Sequence, residues 1–151
     1  MTTLEEYGPL FRAAYGALHG GHPDEPRRAG EARQPQESAA DFLARSRVES
    51  LERLQRQLAA VRPPRRLRNV HDALARLLAA ASEADREMAL QVEAYARGET
   101  EASLRHSERV ASLVAESVRL DRDLILALQA AEEARSGTLV ALGLADIVPP
   151  T

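Results

Sequence analysis

His71 is the side chain in this sequence best placed to do chemistry. Within VRPPRRLRNVHDALARLL, residues 61–78, two prolines and four arginines precede it, and it lies four residues after Leu67 and three before Leu74. An imidazole beside an apolar helix face can ligate a metal, move a proton or accept a hydrogen bond, and each role needs companions. Carboxylate-bridged metal sites in helical bundles draw on Glu-x-x-His pairs from two helices. No Glu-x-x-His occurs in these 151 residues. His106 has Glu101 and Glu108 nearby, but spacings of five and two do not share one helix face well. His71 therefore reads as a structural residue at a helix corner, satisfied by a corner carbonyl or by a side chain from another helix. A metal-dependent enzyme using His71 and His106 is kept as an alternative.

The remaining polar clusters are weaker. Arg62, Arg65, Arg66 and Arg68 could hold a phosphate or carboxylate at a helix start, where the helix dipole also favours anions. The plainer expectation is that they sit on an exposed corner and pair with acids such as Asp72. His19, His22 and Asp24 in HGGHPD match no structural zinc spacing, and ordering their glycines would cost conformational entropy. Glu83, Asp85 and Glu87, with Arg86 among them, read as a solvated face from which Asp85 alone turns inward. P-loops, nucleophile elbows, dinucleotide-binding glycines and HExxH are missing, so no catalytic residue, cofactor or metal is assigned.

The elements that would position these residues are helices. T-L-E-E places Glu6 three residues after Thr3, a capping box, and Leu4, Tyr7, Phe11, Ala14 and Leu18 follow at helical spacing despite Pro9. Residues 19–37 hold three glycines, three prolines and no large apolar side chain, which predicts a flexible loop. A second capping box at Ser38 and Asp41 opens a helix with its stripe at Ala44, Val48, Leu51, Leu54, Leu58 and Val61, stopped by Pro63-Pro64. The third helix starts within 65–67 and shows Leu67, Val70, Leu74, Leu77, Leu78, Ala81, Met88, Val92 and Tyr95. A fourth, capped by Glu99 or Thr100, carries Leu104, Ala111, Val114, Val118, Ile125, Leu128 and Ala131 and ends at a Gly137 cap. Four such stripes want one shared core. The expected fold is all-α, an antiparallel four-helix bundle over 1–137 with a long loop after its first helix.

The pattern of Pro63-Pro64, then Val70-His71 and Leu74, then Arg97-Gly98-Glu99-Thr100-Glu101 before a last helix resembles a loose group of uncharacterised bacterial antiparallel helical-bundle domains. The resemblance spans residues 38–135. It implies the fold and assigns no catalytic residue.

Composition narrows the function classes. Apolar residues make up 44% and aromatics 3%, the mixture of a core built from small and branched side chains. With no cysteine, disulfides and thiolate catalysis are excluded. All 20 basic side chains are arginine, yet residues 1–71 carry only +3 and residues 72–151 carry −6, unlike the strong basic field of a nucleic-acid binder. No apolar run approaches the roughly 20 residues of a membrane span, and MTTLEEYGPL lacks signal-peptide character, so a cytoplasmic location is expected. Residues 138–151 form an apolar tail in which Leu139, Val140, Leu142, Leu144, Ile147 and Val148 must dock on the bundle, a symmetry mate or a host protein. The functional expectation is a non-enzymatic bundle acting through protein contacts, as a homo-oligomer or with a protein partner. The alternative beside the enzyme is a carrier holding an apolar ligand near His71, Met88 and Tyr95.

Overall fold

The first helix, α1 (Leu4–His19), opens on a reciprocal capping pair: the Thr3 amide donates to Glu6 Oε2 at 2.9 Å and the Glu6 amide to Thr3 Oγ1 at 3.2 Å. Pro9 is carried inside it. Four-residue steps bring Tyr7, Phe11, Tyr15 and His19 ring to ring, with centroids 6.0, 6.0 and 4.2 Å apart. The structure is a computed structural model that describes residues 2–19, 39–146 and 148, with the backbone alone over 39–45. The expected loop beyond His19, the Ser38 capping box, the Ala44 side chain, His22, Asp24 and Ile147 lie outside the described residues.

Helix α2 (Ala39–Ala59) buries Leu51, Leu54 and Leu58 and ends ahead of Pro63-Pro64. A 3-10 turn at Arg65–Leu67 leads into α3 (Arg68–Ala96), and α4 (Thr100–Ala134) follows. Between them Gly98, at φ +73°, takes the left-handed conformation that lets its amide bond the Tyr95 carbonyl and the Glu99 amide bond Ala94. These are the two bonds of a Schellman cap. Glu99 precedes α4 without a side-chain capping bond.

Helices α3 and α4 form an antiparallel hairpin pinned by Ser103 to the Gln91 carbonyl, His106 to Glu87 and Arg109 to Glu83. Helix α1 runs beside α3 in the same direction, with Tyr7 against His71 near its start. Helix α2 runs the opposite way and meets α3 through Arg47 and Asp85. The core holds Tyr7, Phe11, Leu51, Leu58, Leu67, Leu74, Leu78, Leu124 and Leu128, all fully buried. All regular structure among the described residues is helical.

The apolar stripes of α3 and α4 are buried over only part of their length. Leu67 to Leu78 are core, but Met88, Val92 and Tyr95 are exposed, Tyr95 by 79%. In α4, Leu104, Ala111, Val114 and Val118 are exposed, and Leu113, Leu120 and Leu124 take the core positions instead. The reason is length. Helix α1 has 16 residues against 29 and 35 in the hairpin, and it stops at the level of Asp121. Ala89, on the flank of α3 that α2 covers lower down, is exposed too.

Gly137 does not cap α4, which ends at Ala134. At φ +91° it opens α5 (Thr138–Ala141) instead. Glu132 reaches past the turn and accepts from the Gly137 amide at 2.9 Å and the Leu139 amide at 2.8 Å. Leu139, Leu142, Leu144 and Val148 are buried in the same core as the long helices, while Val140 is exposed.

Candidate functional site

His71 is half-buried, and its Nδ1 lies 3.0 Å from the hydroxyl of fully buried Tyr7. Burial holds the imidazole below its ordinary pKa, partly opposed by Asp72, and burial, helped by Asp72, raises that of the phenol. Both groups are neutral near pH 7, so Tyr7 donates and Nδ1 accepts. The companion of His71 is thus a side chain from another helix.

The alternatives built on His71 do not assemble. His106 bonds Glu87, which lies 16 residues along α3 from His71, a separation of about 24 Å. The two imidazoles cannot share one ion. Tyr95 stands 24 residues along the same helix, about 36 Å away, so His71, Met88 and Tyr95 line no common ligand site. Arg62, Arg65, Arg66 and Arg68 are all exposed, and among the described residues none of them pairs with Asp72 or any other acid. The acids of the predicted solvated face are individually paired: Glu83 with Arg109, Glu87 with His106, Asp85 with Arg47.

A groove does form where α1 ends. It has a volume of about 300 Å³ and a floor of Leu77, Ala81 and Ala84 from α3 and Val114 and Val118 from α4, closed on one side by Leu18. Its polar groups come in bonded pairs. His19 Nδ1 donates to the Tyr15 carbonyl at 3.0 Å, and its Nε2 bonds Asp121 at 2.5 Å. Arg47 holds Asp85 at 2.7 Å and also donates to the Ala17 carbonyl. Burial first, and Asp121 second, raise the Tyr15 phenol.

Beyond the groove the α3–α4 hairpin continues as an arm. One face of it carries Met88, Val92 and Tyr95 on α3 and Leu104, Ala111 and Val114 on α4, interspersed with Ala89, Ala96, Ser107 and Ala115. The ion pairs of Glu83 and Glu87 lie on the other side of the hairpin. A largely apolar face, with Glu108 as a charge beside Leu104 and Ala111, continuous with an apolar groove, is chemically equipped to bind an amphipathic helix.

Sequence reasoning placed these side chains in the core because their three-four spacing is a core spacing. Their true position needed the length of α1, which the sequence signalled by the glycines after His19. The pairing of His19 with Asp121, 102 residues apart, left no sequence signal. Leu139, Leu142, Leu144 and Val148 of the tail are seated in the chain's own core. No protein family, curated protein or solved structure matches this chain.

Proposed function

We propose that this is a non-enzymatic protein acting through protein–protein contacts, built as an antiparallel four-helix bundle whose long connection follows α1 after His19. Its contact surface is the arm face together with the groove at its base. The observation that carries the reading is the exposure of Met88, Val92, Tyr95, Leu104, Val114 and Val118, six large apolar side chains on one hairpin. Contiguous apolar surface on this scale marks interaction sites rather than scattered exposure. A photo-crosslinking amino acid at Val118 tests it, with Ser112 on the outer side of α4 as control. Covalent polypeptide adducts from position 118 and not from 112 are expected in cells making the protein. Equal labelling from both positions, or none, overturns the reading.

One observation favours a second reading, a small-molecule carrier: the groove is apolar along its floor and has paired polar groups at its margins. Native mass spectrometry of the purified chain separates the two. A carrier retains a bound compound that Ala84→Phe expels.

A further inference from the structure

Resting on the protein-contact reading, we infer that the occupant of the arm and groove is a second copy of this chain. The arms pack face to face about a two-fold axis, and Tyr95 at the tip of each enters the groove of the other.

Three observations lead there. The stretch between α1 and α2, residues 20–38, has no Leu, Ile, Val, Met or Phe to offer such a site. On α3 the arm face presents no charged side chain between Met88 and Ala96 except Glu93, which Arg97 pairs within its own helix at 2.6 Å, while on α4 the exposed Glu108 lies between Leu104 and Ala111. Two identical α3 faces can therefore meet across a dyad near Met88 without like-charge repulsion. The area also suffices. At roughly 150–200 Å² for each large side chain, the six exposed fractions amount to about 600 Å² per chain. Two arms would bury on the order of 1,200 Å², which reaches the range of specific interfaces.

The register follows from the same residues. Tyr95 lies 11 residues beyond Ala84, about 16 Å along α3, and is the most exposed large side chain of the arm. An antiparallel pairing with the dyad near Met88 carries each tip to the other's groove. There the floor of Ala81, Ala84, Val114 and Val118 is shallow enough for an aromatic ring, and the Asp121 carboxylate at the margin can accept a hydrogen bond from the phenol hydroxyl. Four helices, two from each copy, then enclose the stripes that one copy leaves open.

The absence of cysteine gives a clean test. Sedimentation equilibrium of the full chain should give twice 16.5 kDa. Val118→Glu, on an exposed position, should return it to a monomer with unchanged helical circular dichroism. Met88→Cys should form a disulfide-linked dimer under mild oxidation, and Ser112→Cys, on the outer side of α4, should not. A parent that stays monomeric at 100-fold increasing concentration, or a dimer that Val118→Glu leaves intact, overturns the self-pairing. If crosslinks from position 118 then reach a different polypeptide, the protein-contact reading stands without it. If no crosslinks form at all, both fall.

Discussion

Tyr7 and His71 show how a histidine that invites a chemical role can serve packing instead. The phenol is wholly buried, and its hydroxyl has the imidazole Nδ1 as partner at 3.0 Å. Replacing His71 by Leu removes that acceptor and strands the hydroxyl, which should cost about 1–3 kcal/mol in urea unfolding. Tyr7→Phe added to His71→Leu should recover part of the loss, because no buried donor is left. His71→Gln keeps an acceptor and should fall between. A loss in His71→Leu that Tyr7→Phe deepens instead would mean the bond is not what His71 contributes. The pH dependence has a definite sign. The folded pKa is lowered from about 6.5, so the unfolded chain binds the proton more readily. The contribution of His71 is full above about pH 6.5 and is lost as pH falls through the folded value. The difference in stability between parent and His71→Gln should therefore narrow in that window. The spacing of Leu67, His71 and Leu74 was enough to place this ring beside the core. Its partner, 64 residues away, was not legible, because nothing local distinguishes the hydroxyl that a buried imidazole will meet.

At the level of the helices, burial separates two halves of one stripe. Leu74 and Leu78 have no exposed surface, and changing either to Ala should cost about 2–5 kcal/mol by equilibrium unfolding. Val92→Ala or Val118→Ala, at the same spacing but exposed, should cost a small fraction of that in a monomer. Helix α4 explains why such positions could not be told apart from the sequence. Leu104, Ala111 and Val118 recur every seven residues, and so do Leu113 and Leu120 one flank over. Either set makes an acceptable seam, and which one is covered depends on where α1 stops. The turn into α5 was misread for a related reason. Gly137 near a helix end suits a C-terminal cap, yet it takes φ +91° one step later and opens the next helix. Glu132 makes that turn, and its bonds to the Leu139 and Gly137 amides hold its carboxyl below the usual range. A lowered carboxyl pKa contributes stability above the unfolded value and loses it as pH falls through the folded one. Hydrogen exchange at the Gly137 and Leu139 amides should accordingly speed up in acid, after correction for intrinsic rates. Glu132→Gln should show the fast behaviour already at neutral pH, with Leu74 unaffected.

Over the whole molecule, the exposed apolar arm and the buried C-terminal segment sit at opposite ends of the longest helix. Helix α4 is 35 residues long, about 52 Å, with the arm at its start and the α5 segment at its end. The all-helical fold was readable from the stripes because three-four spacing over more than 10 residues has few other solutions. How far the helices overlap was not, because overlap is set by tertiary contacts. The C-terminal segment is the test of that division. Leu139, Leu142, Leu144 and Val148 are buried with Phe11 and Leu128 in one cluster. Gly143, at φ +73°, lets the chain turn where a side chain would strike the Arg12 stem: an added Cβ would lie 2.8 Å from Arg12 Cδ. Burying four such side chains is worth roughly 1.5–3 kcal/mol each before the cost of ordering the chain, a large part of the 5–15 kcal/mol of a typical domain. Deleting 138–151 should thus lower the thermal midpoint sharply. Gly143→Ala should lower it less, through the strained turn alone. Neither change touches the arm, so a dimer formed there should persist under conditions where the shortened chain is still folded. A segment exchanged between copies would behave otherwise, giving monomers on deletion. A segment meant only for a host protein would leave the midpoint where it was. Thermal unfolding and sedimentation on the same two variants distinguish the three, and an unchanged midpoint would show that the buried leucines of the tail contribute nothing to the fold.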